Sequence, residues 1–123
     1  MLSTEKFTVA TYARQFLLAI PEVTAIVGNR IFPSVAKEGT IGTFITYERD
    51  SYEVLNTKMG IYLQEAAIAF EVVSDGYDEA QTLAVLLLEK LQGRHNDLQF
   101  DVVDSAEYYK ENKYRQILIF KIT

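Results

Sequence analysis

The sharpest regularity in the chain is an apolar stripe between residues 80 and 91. Ala80, Leu83, Ala84, Leu87, Leu88 and Leu91 recur at i, i+3, i+4, i+7, i+8 and i+11, the spacing of one face of an α-helix. Asp78 and Glu79 stand at its start and Lys90 at its end, the charge order that the helix dipole favours. Gly93 can take the left-handed conformation that stops a helix. The spacing predicts a helix over 77–92. Val85 and Leu86 lie off the stripe and imply cover on a second side, from the first helix or from a neighbour. Just before it, Ala66, Ile68, Phe70 and Val72 alternate with Ala67, Ala69, Glu71 and Val73, the period of a strand. The first set is a core face. The second is small and weakly polar, a surface that something else can cover.

The same reading extends along the chain. Ser3 or Thr4 can cap a first helix, with Glu5 and Lys6 in its opening turn. That helix carries two adjoining faces, one of Phe7, Ala10, Thr11, Arg14, Leu17 and Leu18, the other of Val9, Ala13, Phe16 and Ile20. Pro21 ends it and opens a short second helix that stops at Gly28-Asn29. Residues 30–33 read as a brief extended segment and 34–42 as a loop. A strand over 43–49 is followed by a hairpin connection over 50–60 and a second strand over 61–73. After the leucine helix, residues 94–97 read as a polar loop. Strands over 98–109 and 114–122 then close the chain, the last with Leu118, Phe120 and Ile122 facing one way and Arg115, Ile117, Ile119 and Lys121 the other. The expected fold is α+β and two-layered: a mainly antiparallel four-stranded sheet with helices on one face, in the order α-α-β-β-α-β-β.

Composition narrows the class. The chain has 123 residues, 49% of them hydrophobic, which suits a single globular domain over 1–123. It has no cysteine, so neither a disulfide framework nor a thiolate metal site is possible. Its net charge of −5 disfavours binding to a phosphate backbone, and sequence-specific nucleic-acid binding is not expected. The opening residues do not read as a signal peptide, and the apolar run 84–88 is far short of a membrane span. The chain is therefore expected to be soluble and intracellular when made.

Candidate chemistry is sparse. His95 is the sole histidine, and no serine elbow or second histidine accompanies it for a triad or a zinc site; it reads as a solvated loop residue. Asp97, Asp101 and Asp104, like Glu48 and Asp50, match no calcium loop. The glycines form no phosphate-cradling array. No catalytic, cofactor or metal residue is assigned, no cofactor is expected, and the chain is not expected to be an enzyme. Tyr108, Tyr109 and Tyr114 cluster at the last hairpin, where they serve either cross-strand pairing or a binding surface.

Several phrases taken together resemble the tail completion (tail terminator) proteins of long-tailed bacteriophages and prophages. They are the end of the first helix at residues 17–20, the run from Ala25 through Val27-Gly28-Asn29-Arg30-Ile31-Phe32 to Pro33, the strand at 44–47, the strand at 68–74 with Tyr77-Asp78-Glu79-Ala80 opening the helix, and the closing strand at 117–122. Such proteins often approach the first strand through prolines, where this chain has Gly39-Thr40-Ile41-Gly42-Thr43. The resemblance implies a non-enzymatic part that forms a ring, commonly hexameric, on the end of the tail tube. The implied partners are other copies of the chain, the tail tube protein and the head connector. The implied location is the host cytoplasm during assembly and then the virion tail. The interface residues expected on this reading are Val54, Leu55, Met59, Ala67, Ala69, Tyr108, Tyr109 and Tyr114. Two alternatives stand beside it: a head-side neck or adaptor protein, and a small-molecule-binding domain with a site near His95 and Tyr108.

Overall fold

The computed structural model describes residues 4–56, 58, 60 and 62–123. Met59 therefore lies outside the described residues. The elements run α1 (Val9–Leu18), α2 (Pro21–Val27), β1 (Ile31–Pro33), β2 (Phe44–Asn56), β3 (Tyr62–Ser74), α3 (Tyr77–Leu91), β4 (Gly93–His95), β5 (Leu98–Lys110) and β6 (Lys113–Ile122).

Six strands, not four, form one sheet in the order β1-β2-β3-β6-β5-β4. It is mixed rather than antiparallel throughout, because β1 pairs parallel to β2 through Ile31–Ile45 and Pro33–Tyr47. The expected four-stranded sheet and its element order are thus incorrect. The two extra strands, β1 and β4, are three residues each, too short to show a period of their own. Each exists because a neighbouring long strand offers it a ladder. The second difference is length. β2 runs on through residues 50–56, expected as a connection, and a register shift between Arg49 and Ser51 marks a bulge.

Alternation and register assign the faces. Ile45 and Tyr47 of β2 lie beside Val72 and Phe70 of β3, and Phe70 and Ile68 lie beside Leu118 and Phe120 of β6. With Phe100 of β5, these side chains share one buried cluster with the three helices. The leucine helix supplies Leu83, Leu87 and Leu91, all fully buried, while Val85 stays 45% exposed. Leu86 is half-buried against the core. In α1 the buried face is Val9, Ala13 and Leu17, so the arc is set by Val9 and Ala13 rather than by Phe7, which is exposed. That helix starts at Val9 after Thr8, later than Ser3 or Thr4 would place it.

The run from Val27 to Phe32 has a structural reason at each step. Val27 is buried, and Gly28 ends α2 at φ +60 and ψ −123, a conformation that suits glycine. Ile31 is buried and Phe32 meets the Phe44 ring at 6.3 Å. Arg30 ties the loop shut: its Nε donates to the Thr43 carbonyl at 2.9 Å and its Nη2 to the Ile26 carbonyl at 3.2 Å. A Cβ on Gly42, itself at φ +91, would come within 3.2 Å of that guanidinium. Arg30→Ala should cost about 1.5–3 kcal/mol through these charge-assisted bonds. Arg30→Lys should not restore it, because an ammonium cannot reproduce the planar fork. Urea unfolding of the two variants checks this; a lysine variant as stable as the parent would show that charge alone suffices.

No described helix covers the sheet's other face, and the sheet curls toward it. Val103 of β5 lines the same hollow, about 140 Å³, as Ser51 and Glu53 of β2, although β3 and β6 lie between them. The result is a half-barrel with the helices outside the curl. Its long strands also outrun their edge partners. β1 pairs only with Ile45 to Tyr47, and β4 only with Leu98 to Phe100. Residues 48–56 of β2 and 101–110 of β5 are therefore edges with no strand partner among the described residues. Because β2 and β5 run in opposite directions, the two edges lie at opposite corners of the sheet.

Candidate assembly surfaces

Three surfaces stand out from this frame. The first is the end of the β2–β3 hairpin. Leu55 and Leu63 are cross-strand partners on the open face, yet they are 55% and 47% exposed. Val54, half-buried, points to the helix side opposite Gln64. The base of this hairpin is held to the N-terminal turn. Phe7 meets Tyr52 edge-on at 5.3 Å, and the Arg49 guanidinium lies 3.9 Å over the Phe7 ring. Arg49 Nη1 donates to the Phe7 carbonyl at 3.2 Å, and Lys6 Nζ to the Gln64 carbonyl at 3.1 Å. The apolar end of the hairpin thus stands on an anchored base.

The second surface is the open face itself. Ala67 and Ala69 of β3 lie beside Lys121 and Ile119 of β6, and Glu71 beside Ile117. The floor formed by Ala67, Ala69, Ile117 and Ile119 is bracketed by two ion pairs, Lys121–Glu65 at 3.2 Å and Arg115–Glu71 at 2.9 Å. The four floor residues are half-buried by their own neighbours and the curl.

The third is the tyrosine cluster of the β5–β6 hairpin, which the sheet divides. Tyr109 and Tyr114 are cross-strand partners on the helix side, their rings 4.8 Å apart, and Tyr77 at the start of α3 meets Tyr114 edge-on at 5.7 Å. Tyr108 lies on the open face, where its hydroxyl donates to Glu71 at 2.7 Å. Cross-strand pairing therefore accounts for Tyr109 and Tyr114, and Tyr109 is still 59% exposed. Tyr77 was readable only as a helix start, and Leu63 only as a strand residue. Both enter these surfaces through pairing partners distant in sequence.

The phenols respond to these contacts. The hydrogen bond to the Glu107 carboxylate raises the Tyr77 phenol above its ordinary value of 10. Burial, followed by the hydrogen bond to Glu71, does the same for Tyr108. A raised folded value means that the unfolded chain ionises first. Their contribution to stability is complete below the ordinary phenol value and is lost as the pH climbs from there through the folded values. Nuclear magnetic resonance titration of the phenol carbons should show both ionising above 10. Glu107→Gln should bring Tyr77 down and leave Tyr108 in place.

The remaining candidates do not assemble into a reaction centre. His95 is not a solvated loop residue. It ends β4, its ring lies 4.3 Å from Phe16 and 5.1 Å from Phe100, and its Nε2 is 2.8 Å from the Leu91 carbonyl oxygen. It is a half-buried brace between α1, α3 and the sheet. Tyr108 lies eight residues along β5 from Phe100, roughly 25 Å at the rise of a strand, so His95 and Tyr108 do not share a site. Asp101 accepts from Gln92 and Gln99 at 2.8 and 3.2 Å, and Asp104 accepts from the Ser105 amide at 2.9 Å. Among the described residues, no three His, Asp or Glu side chains gather as a metal site requires. No described helix is long and apolar enough to cross a membrane.

The free edges carry their own protection. Glu48, Asp50 and Glu53 punctuate one, and Asp101, Asp104 and Glu107 the other. Both edges begin at a register shift, Arg49/Ser51 in β2 and Val102/Asp104 in β5. Charge and bulges are the usual means of discouraging strand addition. Comparison of the sequence with models of protein families and with characterised proteins finds no match.

Proposed function

We propose that the chain is a structural, non-enzymatic subunit that closes into a ring on the end of a phage or prophage tail tube and joins that tube to the head connector. The observation that carries this reading is the pair of unlike projecting surfaces. The leucine end of the β2–β3 hairpin and the tyrosine end of the β5–β6 hairpin lie at opposite ends of one rigid sheet. A cyclic ring is built from a heterologous contact, in which one patch of each subunit meets a different patch of the next. Because acidic residues and bulges guard both edges, contact is made through side chains rather than by continuing the ladder. The open floor of Ala67, Ala69, Ile117 and Ile119 lies between the two patches and provides further apolar area.

Two other features agree with the reading. The residues that resemble tail completion proteins map onto the end of α1, the end of α2 with β1, the β2 and β3 strands, the start of α3 and β6, so they belong to the frame that displays both hairpins. A net charge of −5 suits the wall of a channel through which DNA slides without adhering.

Sedimentation velocity of the purified chain, alone and with purified tail tube protein, tests the proposal. A closed oligomer alone, or a ring-sized species that appears with the tube, is the expected result. A chain that stays monomeric at high concentration both alone and with the tube would remove the reading. Binding to the connector but not to the tube would place the chain on the head side of the joint instead.

A further inference from the structure

Beneath the N-terminus of α3 the sheet runs past the helix and leaves a hollow of about 210 Å³, walled by Tyr77, Tyr109 and Tyr114 and floored by Glu107 and Gln116. Glu107 is unusual among its neighbours. Glu71 and Glu111 are both within ion-pair distance of Arg115, and Asp75 of Lys113. Glu107 instead accepts from neutral groups, the Tyr77 hydroxyl at 3.0 Å and Gln116 Nε2 at 2.9 Å. A carboxylate with no cation in ion-pair distance among the described residues, beside three phenol rings, is the chemistry that recognises an organic cation: aromatic faces are negative and the carboxylate supplies the counter-charge. The positive end of α3 lies close by, but Asp78 and Glu79 in its first turn offset it. Arg115, which also borders the hollow, is held by Glu71 and Glu111 on the sheet's other side.

Gln116 also borders a second hollow, about 190 Å³, that follows the outer flank of α3 over Ala84, Val85, Leu88 and Leu118. The two make one track: a cationic socket followed by an apolar strip, beside the acidic free edge of β5. We propose that this track receives an arginine-bearing segment of a partner protein, with the guanidinium in the tyrosine socket against Glu107 and an adjacent apolar side chain over Val85. Arginine suits the socket better than lysine because its planar group stacks on aromatic rings and donates in a fork to a carboxylate. The socket is complete within one chain and needs no ring; a ring closing over the tyrosine end would fill it with a second copy instead, so the two readings compete for this surface.

The probe is the acetylated, amidated peptide Leu-Gly-Arg-Gly-Leu, with the same peptide carrying citrulline in place of arginine as its neutral counterpart. In amide and aromatic resonance titrations, the arginine peptide should shift Tyr77, Tyr109, Gln116 and Val85. The citrulline peptide should bind at least about tenfold more weakly, the effect of losing one charge-assisted contact. Glu107→Gln should reduce the arginine peptide to the citrulline level, and Tyr109→Ala should weaken it without unfolding an exposed hairpin end. Equal binding of the two peptides would overturn the proposal, as would shifts confined to other surfaces. The same shifts on raising the chain's own concentration, without peptide, would also overturn it by naming a second copy as the occupant.

Discussion

Phe70→Ala lowers stability by about 3–5 kcal/mol, the range for emptying a fully buried phenylalanine site. The physical basis is the position of this ring at the middle of β3, with no exposed surface and strands on both sides. It meets Phe120 edge-on at 5.8 Å and is flanked by Tyr47 and Leu118 in register. The helices cover it from above in the same cluster, through Leu83 and Leu87. A cavity there cannot collapse easily, because the two flanking strands are held by backbone ladders. Against the roughly 5–15 kcal/mol available to a typical domain, a loss of this size should leave a chain that is partly unfolded at modest temperature. Urea unfolding with an unchanged slope and a lower midpoint is the expected record. A loss under about 1 kcal/mol would mean that the sheet centre is not packed as described.

The second large effect falls on association rather than on folding. Leu55→Glu combined with Leu63→Lys replaces an exposed cross-strand leucine pair with an opposite-charge pair. Cross-strand ion pairs are tolerated by a ladder, so the hairpin should keep its register and the melting temperature should hardly move. Each leucine buried in a contact contributes about 1.5–3 kcal/mol, and the pair together about twice that. Ring formation should therefore weaken by a hundredfold or more. Sedimentation velocity with the tube present reads the difference directly. If the doubly charged chain assembles as the parent does, the β2–β3 hairpin is outside the interface and the ring must close through other surfaces.

Local pattern was enough wherever an element buries one face along its whole length. The stripe from Ala80 to Leu91, the alternation Ala66-Ile68-Phe70-Val72 and the triplet Leu118-Phe120-Ile122 all face the core. In each case the solvent boundary runs parallel to the element, so the period survives in the residue types. Pattern failed where that boundary crosses an element. Residues 50–56 of β2 have no consistent inner face, because the hairpin projects beyond the helices; the turn formers Asp50-Ser51 and Asn56 there looked like a connection. His95 failed for the opposite reason: a polar quartet suggested solvent, while Phe16, remote in sequence, and Phe100, across the β4–β5 turn, pack against the imidazole.

The candidate surfaces were legible only in part. Leu55, Ala67, Ala69 and Tyr109 could be singled out because apolar groups stood where solvent was expected. Their partners Leu63, Ile119 and Tyr77 acquire meaning only through pairing and packing between distant elements. Met59 lies outside the described residues.

By itself the sequence determined which faces of α3, β3 and β6 are buried, since burial along an element leaves a period that any reader of the chain can count. It also excluded cysteine chemistry and set the acidic balance. The tertiary structure decided the number of strands, the curl of the sheet and the placing of the two hairpin ends at opposite corners. Those properties follow from pairing between segments far apart in the chain, and the geometry of a ladder leaves no mark on residues that merely supply backbone to it.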